Sequence, residues 1–276
     1  MSLVTASPAR HHKLDTTRPH SARVWNYWLD GKDHYPIDRQ AGDAIAAMMP
    51  DIVDVARHSR AFLARAVRHM AGEAGIRQFL DIGTGLPTVD NTHEVAQRVH
   101  PDARIVYVDN DPLVLVHAHA LLTSNPKGVT AYIDADICEP EQIVAQAANT
   151  LDFDQPVGLM LLGILHHVVD DAQARTIVNT LINGLPCGSM IAIAWATAEV
   201  HGERMHQAMN TWAQMGGTPI VARPADELER YFDGLESLEL LEPGVVSCSH
   251  WRPDPTPFGQ APRVSQYCGV ARKARP

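Results

Sequence analysis

A short apolar segment that leads directly into a pair of glycines limits the folds open to this chain. The residues from Gln78 onward read as a strand, Gly83 and Gly85 as a tight turn, and a helix-like segment follows Thr88. This succession forms a nucleotide-sized site in open α/β sheets, because glycine lets the backbone approach a ligand and the first helix amides are unpaired. The segment therefore predicts an α/β fold with a nucleotide-like ligand beside the turn.

The acidic residue just before the turn indicates which ligand to expect. A dinucleotide fingerprint requires a third glycine, and Thr88 occupies that position here. The carboxylate of Asp81 would repel a pyrophosphate, but it suits a ligand with a cationic amine. S-Adenosylmethionine has an amine, a carboxylate and a sulfonium charge, and it carries no phosphate. We therefore expect an S-adenosylmethionine site.

The composition favours one domain of ordinary size and excludes several classes of protein. The 276 residues are 45% hydrophobic, and no apolar run approaches the roughly 18 residues that cross a bilayer. The net charge of −9 disfavours a broad nucleic-acid surface. Residues 1–15 lack the apolar centre of a secretory signal, and the four cysteines form no C-x-x-C pair. We expect a cytoplasmic protein with reduced, buried thiols that contacts no membrane and no nucleic acid.

Hydrophobic periodicity predicts helices and strands in alternation. Three helices precede the first strand, at residues 21–29, 37–48 and 52–70, with Ser21 as the N-cap of the first. Strand-like and helix-like segments then alternate, which is typical of a parallel sheet with helices on both faces. Further strands are predicted at residues 103–109, 129–137, 157–168, 190–195, 238–243 and 264–271, and helices at residues 90–99, 113–122, 141–148, 170–181, 202–215 and 225–232.

These segments predict a doubly wound, Rossmann-like α/β fold. Its sheet has seven strands, is mostly parallel and includes an antiparallel C-terminal strand. We expect residues 1–16 to form a flexible leader and residues 17–276 a single domain. Within it, residues 17–72 form a helical cap, which could close over a ligand, and residues 73–276 form the Rossmann-like core.

Acidic residues recur at the ends of successive predicted strands. Asp109 lies 28 positions after Asp81, close to the spacing at which an acid of a βαβ unit binds ribose hydroxyls. Asp136 ends the third strand in the same way. Each acid has a structural alternative, since Asp109 could cap the next helix and the neighbouring Asp134 could be solvated. Carboxylates at three successive strand ends together favour a shared ligand site.

The fourth predicted strand ends in two histidines. Adjacent residues on a strand face opposite ways, so either His166 or His167 should point into the cleft, where an imidazole is a suitable general base. A purely structural histidine is an equal alternative. Asp170 would complete an H-x-x-x-D pair with His166, but no third ligand is in sight, so we predict no metal site.

Several of these motifs resemble those of a known family. The segment D-I-G-T-G at residues 81–85, Asp109, the pair Asp-Ile at 136–137 and L-H-H at 165–167 are similar to the successive motifs of class I S-adenosylmethionine-dependent methyltransferases. A narrower resemblance covers nearly the whole chain. Its motifs are P-x-x-A-R-x-x-x-Y-x-x-x-G-K-D at residues 19–33, L-E-P-G-V at 241–245 and W-R-P at 251–253. They resemble the actinobacterial group once described as DUF574 and now as an S-adenosyl methyltransferase family of unknown function, which implies the fold and the cofactor more firmly than the substrate.

The resemblance implies roles for the residues around the glycine turn. The backbone of Gly83, Thr84 and Gly85 would contact the methionine moiety, Asp81 would meet its amino group, and Asp109 would accept both ribose hydroxyls. Further along, the resemblance implies an adenine site, in which Asp136 takes the amino group and the amide of Ile137 lies nearby. The candidate apolar walls for the adenine are Ile137, Asn110 and Leu165.

The opening segment has both a functional and a structural interpretation. Arg23 or Tyr27 could touch the cofactor carboxylate if this helix is a lid. Alternatively, Trp25, Tyr27 and Trp28 simply pack the helix onto the sheet edge. These aromatic residues and Trp251 are also candidates for the walls of an acceptor pocket.

The function expected from this resemblance is S-adenosylmethionine-dependent transfer of a methyl group to a small-molecule oxygen or nitrogen, with S-adenosylhomocysteine as product. Since the sulfonium is already activated, catalysis is mainly alignment, plus a base where the nucleophile must lose a proton. The sequence G-I-L-H at residues 163–166 stands where methyltransferases of DNA-base amines carry Asn/Asp-Pro-Pro-aromatic, which counts against that class. The oligomeric state stays open.

Two other functions remain as alternatives. An NAD(P)-dependent oxidoreductase would share the first βαβ unit, but this chain lacks the third glycine and a Tyr-x-x-x-Lys pair in the expected region. A non-catalytic protein that binds S-adenosylmethionine is the second alternative, because no residue is certain to be catalytic.

Overall fold

The computed structural model describes residues 14–121, 125–233 and 238–274, without the side chains of residues 118–121. Residues 1–13 of the expected leader and residue 122 of the helix predicted at 113–122 lie outside the described residues. The described residues form nine α-helices: α1 Ser21–Trp28, α2 Pro36–Met48, α3 Ile52–Gly72, α4 Thr92–Val99, α5 Pro112–Leu121, α6 Pro140–Ala147, α7 Asp171–Asn183, α8 Glu203–Gln214 and α9 Ala225–Asp233. They also form eight strands: β1 Gln78–Ile82, β2 Arg104–Asp109, β3 Val129–Asp134, β4 Gly158–Leu162, β5 Met190–Ala196, β6 Leu238–Leu240, β7 Val246–Ser247 and β8 Gln266–Lys273.

The strands form one open sheet in the order β3-β2-β1-β4-β5-β8-β6, with β7 paired to β8. Strands β1 to β5 are parallel, and β8 runs antiparallel to β5 and to β6. The predicted Rossmann-like, mostly parallel sheet with an antiparallel C-terminal strand is confirmed, and the two-residue strand β7 is an addition to the predicted seven. Since the strand order reverses between β1 and β4, a crevice opens at their carboxyl ends, where such sheets bind ligands.

Each face of the sheet packs against its own set of helices. Alternation along β1 places Phe79 in a core with α3 and α4, whereas Leu80 and Ile82 lie in the opposite core with α6 and α7. Both cores are fully buried where the central strands cross them. Asp81 therefore faces the side of the sheet that α3 and α4 cover.

The start of α1 is held by a residue of α2 and not by the predicted N-cap Ser21. Helix α1 already begins at Ser21, and the preceding His20 makes no side-chain capping bond within the described residues. Instead, the fully buried carboxylate of Asp38 accepts hydrogen bonds from the backbone N–H groups of His20 at 2.9 Å and Tyr35 at 2.8 Å. One carboxylate thus anchors the beginnings of both helices.

The fourth strand is shorter than its apolar sequence predicts. It ends at Leu162, Gly163 has a φ of 73°, and Leu165–His167 form a 3₁₀ turn. The buried guanidinium of Arg223 donates to the carbonyl oxygens of Leu165 at 3.1 Å and Val168 at 2.7 Å. Hydropathy cannot reveal this ending, because a distant arginine satisfies the carbonyls that leave the sheet.

Two expectations from composition concern the burial of the cysteines and the presence of helices that could cross a membrane. Cys248 and Cys268 are buried as expected, whereas Cys138 and Cys187 are exposed, and all four are free thiols. Within the described part of the chain, no helix is both long enough and apolar enough to cross a membrane.

Candidate active site

A cavity of about 280 Å³ lies at the carboxyl ends of the parallel strands, beside the crevice between β1 and β4. This volume is close to the lower end of the roughly 300–1,000 Å³ of typical ligand sites. Nine of the thirteen residues that the sequence predicts for the site line this cavity: Asp81, Gly83, Thr84, Gly85, Asp109, Asn110, Asp136, Ile137 and His167. Carboxylates from the ends of three successive strands therefore share one space.

The turn after β1 requires glycine for two separate reasons. Gly83 has a φ of 75° and Gly85 a φ of 66°, which L-residues with side chains rarely adopt. At Gly83, an added Cβ would also lie 2.6 Å from the Cβ of Ile164, because the backbone of the turn packs directly against the side chain of Ile164 after β4. This close approach leaves the backbone of residues 83–85 at the cavity wall.

Asp81 is a buried carboxylate whose negative charge is only partly compensated by neighbouring groups. It is 4% exposed, and its Oδ2 accepts a hydrogen bond of 2.6 Å from the hydroxyl of Thr92 at the start of α4. Burial raises the pKa of Asp81 to about 6, although the Thr92 hydroxyl and the charge of Arg60 oppose the shift. The carboxylate therefore lacks part of the positive charge that would stabilise it.

Arg60 of α3 is a cavity residue that sequence reasoning missed. One terminal nitrogen, Nη2, donates to the carbonyl oxygens of Val89 at 3.0 Å and Asp90 at 3.1 Å. Its Nε is buried and has no partner among the described residues. Burial lowers the pKa of this guanidinium, and the Asp81 carboxylate opposes that shift. A half-buried cation with an unused, buried Nε donor thus lines the same cavity as Asp81.

The carboxylate of Asp109 connects the glycine turn after β1 to the segment after β2. Its Oδ2 accepts a hydrogen bond of 2.9 Å from the N–H of Gly85, and its Oδ1 accepts one of 3.0 Å from the N–H of Asp111. Burial raises the pKa of Asp109 although both amides oppose it. The start of α5 is capped by Asp111, whose Oδ1 accepts from the N–H of Leu113 at 2.8 Å. Asp109 therefore does not cap α5, which was its structural alternative in the sequence analysis.

Asp136 and Ile137 form another part of the wall, where the chain leaves β3. The Oδ1 of Asp136 accepts a hydrogen bond of 2.8 Å from the N–H of Cys138, so the carboxylate is held in a local turn. The side chain of Ile137 is buried and provides an apolar surface. Burial raises the pKa of the Cys138 thiol to about 11, which keeps this cavity residue protonated near neutral pH.

Helix α1 covers the cavity, but with a different face from the one expected. Ala22, Trp25, Asn26 and Leu29 line it, at the spacing of one helix face. Arg23 and Tyr27 lie on other faces, so the predicted contact of either with a cofactor carboxylate is not found in this arrangement. The sequence predicted the helix but not its rotation about its own axis.

The predicted site residues that do not line the cavity make contacts with other parts of the protein. Arg23 Nη1 lies 3.7 Å from Asp38 Oδ2, and the Tyr27 hydroxyl donates to Asp43 at 2.7 Å. Leu165, proposed from sequence as an adenine wall, is fully buried in the core with α6 and α7. These residues stabilise the walls without contacting the space inside.

His166 and His167 have different surroundings, but the alternation of side chains along a strand is not the cause. They belong to the 3₁₀ turn, so strand alternation does not apply. His167 lines the cavity, and its Nδ1 donates to the carbonyl of Pro219 at 3.3 Å, which leaves the Nε2 lone pair without a partner among the described residues. Burial lowers the pKa of His167 to about 4. His167 is therefore neutral at pH 7 and a weak base.

A second cavity of about 80 Å³ lies behind α1 and contains His166. Its walls are mainly apolar and include the rings of Trp25, Trp28 and Trp212. The expectation that opening-helix aromatics line a pocket fits this cavity. Trp251 does not line it, because its ring packs edge-on against Phe62 at 5.4 Å between centroids.

Comparison with solved structures defines the class of protein. A DUF574 family protein from Streptomyces avermitilis is 43% identical, with a TM-score of 0.89 over 95% of this chain and 100% of that one. A protein from Thermobifida fusca assigned as a methyltransferase is 36% identical, with a TM-score of 0.84 over 98% and 100%. The plantazolicin methyltransferase BpumL, at 13% identity and a TM-score of 0.50 over 92% and 96%, shares the fold. The architecture is that of the Rossmann-like methyltransferases.

The sequence comparison names the family. Residues 7–274 match the model of the S-adenosyl methyltransferase family, and the chain belongs to that family. It is therefore an S-adenosylmethionine-dependent methyltransferase, as the sequence motifs predict. A search of curated proteins gave no match.

Proposed function

We propose that the larger cavity binds S-adenosylmethionine and that the protein transfers its methyl group to a small-molecule oxygen or nitrogen. The observation that carries this proposal is that Asp81, Asp109 and Asp136 share one cavity with the cation Arg60. S-Adenosylmethionine is a zwitterion at its methionine end and carries neutral hydrogen-bonding groups on its ribose and adenine. The charges in the cavity match this distribution.

The methionine end would lie between Asp81 and Arg60. The ammonium of the cofactor supplies the positive charge that the buried Asp81 lacks, and the carboxylate of the cofactor accepts from the unused Nε–H of Arg60. Charge-assisted hydrogen bonds of this kind are stronger than neutral ones. Each group that is poorly compensated in the ligand-free protein thereby gains a partner.

The adenosine end would lie along the strand ends beyond the turn. The Asp109 carboxylate is already oriented by two backbone amides, so its remaining lone pairs can accept the ribose hydroxyls without rearrangement. Asp136 would accept from the adenine amino group, and Ile137 would cover the ring. Asn110 forms a second wall of the same part of the cavity.

The surroundings of the cavity favour a small acceptor. Helix α1 covers the cavity, and the neighbouring second cavity holds only about 80 Å³. The formal net charge of −9 adds no attraction for a nucleic acid. His167 is one of the two imidazoles that line the cavity, with His20, and its pKa of about 4 makes it an inefficient base near neutral pH. Catalysis would then rest on alignment of the nucleophile with the methyl group.

Truncated ligands test the proposed orientation. 5′-Methylthioadenosine lacks the amine and carboxylate of S-adenosylhomocysteine, so Arg60→Met should weaken the latter about 10–100-fold and leave the former unchanged. Asp109→Ala should weaken both ligands by about 1–3 kcal/mol. Arg68→Met, on the exposed side of the same helix, is the matched control. Isothermal titration calorimetry measures all four proteins, and equal losses of both ligands in Arg60→Met would contradict the orientation.

Two further measurements separate the alternative functions. Calorimetry with NADH should show no binding, whereas an oxidoreductase would bind it. Incorporation of tritium from methyl-labelled S-adenosylmethionine into small molecules of a cell extract should exceed that of a boiled-protein control. Binding without any incorporation would favour a non-catalytic protein.

A further inference from the structure

The larger cavity contains an imidazole that sequence reasoning missed. His20 precedes α1, lines the cavity and keeps 29% of its side chain exposed, so its ring lies at the rim, where solvent has access. The two histidines considered from sequence are less suitable bases. Burial lowers the pKa of His167 to about 4, and His166 lines the second cavity instead. Among the described residues, His20 is therefore the remaining imidazole that can act on a ligand of the larger cavity.

A buried carboxylate lies beside the His20 ring. Nδ1 of His20 is 2.9 Å from Oδ2 of Asp111, whose side chain is only 2% exposed. The two atoms are close without being aligned for a hydrogen bond, and neither has another hydrogen-bond partner among the described residues. Catalytic hydrogen bonds are often misaligned in a ligand-free protein and tighten when the substrate binds. The pair therefore has the composition and spacing of a carboxylate–imidazole dyad.

The charge of Asp111 determines which nitrogen of His20 is free. Burial opposes the ionisation of Asp111, but neighbouring groups, above all His20, outweigh it and lower the pKa of the carboxyl group. An ionised carboxylate only accepts hydrogen bonds, so Nδ1 carries the proton of the neutral ring and Nε2 holds the lone pair. Within the described part of the chain, Nε2 has no partner. This lone pair can accept a proton, and the carboxylate stabilises the imidazolium that forms.

Two buried carboxylates share one guanidinium next to His20. Arg23 Nε lies 3.7 Å from Asp111 Oδ2, and Arg23 Nη1 lies 3.7 Å from Asp38 Oδ2. This cluster therefore contains more negative than positive charge, and the excess lies beside the ring. Asp38 also accepts a hydrogen bond of 2.9 Å from the backbone N–H of His20. The backbone and the ring of His20 are thus both positioned by carboxylates, which come from two different segments.

The ring of His20 also lies close to the proposed cofactor. Burial raises the pKa of Asp109 and lowers the pKa of His167, and the charge of His20 pushes both values lower. His20 is therefore within electrostatic reach of the strand end proposed to bind the ribose and of the turn after β4. Since the sulfur of S-adenosylmethionine is bonded to its ribose, the proposed orientation brings the reacting methyl group near this ring.

The face of α1 that follows His20 is largely apolar and is open to solvent. Trp25 and Leu29 line the cavity, are half-buried and have no part in the proposed cofactor contacts. A flat aromatic surface with a polar group at its edge suits a planar ligand that carries a hydroxyl group. An acceptor can approach this wall from solvent while the cofactor occupies the cavity.

We propose that His20, oriented by Asp111, is the general base of the methyl transfer and that the acceptor is a phenol. This inference rests on the proposed function of the larger cavity and names the class of its acceptor. A phenol hydroxyl ionises only near pH values of about 10, as tyrosine does, so it needs a base near neutral pH. Such a base typically adds about 10²–10⁴-fold to the effect of alignment.

The reaction balances with His20 as the proton acceptor. The O–H bond of the phenol breaks and its proton passes to Nε2 of His20, while an oxygen lone pair forms the new O–CH₃ bond. The electron pair of the S–CH₃ bond returns to sulfur. The products are a methyl ether, S-adenosylhomocysteine and an imidazolium beside Asp111, which returns its proton to solvent at the rim of the cavity.

4-Nitrophenol in the sinefungin complex reports this proton transfer directly. Sinefungin carries an ammonium where S-adenosylmethionine carries its sulfonium, so no methyl group is transferred, and 4-nitrophenol turns yellow when it ionises. Absorbance titration of the full chain should show that bound 4-nitrophenol ionises at a pH at least about one unit below that in water. His20→Gln, which keeps a polar side chain without a base, should lose most of this shift, and Asp111→Asn should lose part of it. His206→Gln, on the exposed side of α8, is the matched control.

Calorimetry separates a base from a residue that only supports the cavity. His20→Gln should leave the affinity for S-adenosylhomocysteine unchanged. If the variant loses the shift only together with that affinity, His20 maintains the shape of the cavity and is not the base. If S-adenosylhomocysteine binds but 4-nitrophenol does not bind, or if His20→Gln keeps the full shift, the base assignment is wrong and the cofactor site stands. If neither S-adenosylhomocysteine nor sinefungin binds, the proposed function itself fails.

Discussion

Replacing Asp81 by asparagine is expected to stabilise the ligand-free protein near neutral pH and to weaken cofactor binding. Burial raises the pKa of Asp81 from 3.8 to about 6. A carboxyl group with a raised pKa stabilises the fold while it is protonated. This contribution is complete below pH 3.8 and is lost as the pH rises through about 6. Near pH 8 the wild type therefore contains a buried charge that asparagine, at nearly the same size, does not carry.

The magnitude follows from the size of this pKa change. A rise from 3.8 to about 6 corresponds to about 3 kcal/mol. For a protein of this length, 1 kcal/mol changes the unfolding midpoint by roughly 2–4 °C, so the variant should unfold roughly 6–12 °C above the wild type near pH 8. Roughly half of this difference should vanish near pH 5, where Asp81 is protonated in the folded protein. Asparagine can still accept from the Thr92 hydroxyl, so that contact survives.

Differential scanning calorimetry near pH 5 and near pH 8 measures the stability, and titration with S-adenosylhomocysteine measures the affinity. Binding should weaken about 10–100-fold, because the ammonium of the ligand loses its buried counter-charge. Asp134→Asn is the matched control, since Asp134 also ends a strand but is exposed and lies outside the cavity. A variant that is less stable than the wild type near pH 8, or that binds as tightly, would refute the reasoning.

The remaining predictions concern the pH dependence of ligand affinity and the contribution of Arg223 and Gly83 to stability. The affinity of the wild type for S-adenosylhomocysteine should rise as the pH rises through about 6 and then level off, while that of Asp81→Asn stays flat; titrations across this range measure it. Arg223→Met should cost about 2–4 kcal/mol in urea unfolding because two buried carbonyls lose their donor, and the exposed Arg204→Met should cost almost nothing. Gly83→Ala should destabilise by more than about 2 kcal/mol, whereas Gly75→Ala, at a similar φ of 70° but in open space, should cost only about 1 kcal/mol; equal losses would mean that the contact with residue 164 is irrelevant.

The secondary structure was predictable because its signals are local. Apolar periodicity and the glycine turn predict the helices and most strands to within a few residues, although they miss the early end of β4 and the short strand β7, and the parallel order follows from the alternation of the two patterns. The convergence of Asp81, Asp109 and Asp136 was predictable for the same reason. The carboxyl ends of parallel strands meet at one edge of a sheet, so the position of an acid along its strand is enough to place it.

The part of the site that sequence reasoning missed depends on packing between distant segments. Arg60 lies on α3, before the first strand, and no local pattern distinguishes it from other arginines of that helix. It reaches the cavity because α3 covers the face of β1 to which Asp81 belongs. A signal was present in hindsight, since a carboxylate buried on that face requires a cation from a neighbouring helix.

Local sequence signals were enough to predict the class of fold, the order of most of its elements, the family and the edge of the sheet at which the larger cavity lies. The rotation of α1, which turns Trp25 toward the cavity and Arg23 away from it, depends on packing between distant segments. The 3₁₀ turn that replaces the predicted strand end, and that places His167 and not His166 at the larger cavity, depends in the same way on Arg223. The physical reason is the same in both cases. Which atoms of a side chain meet a ligand depends on neighbours that are far away along the chain, and these neighbours are defined only when the helices pack on the sheet.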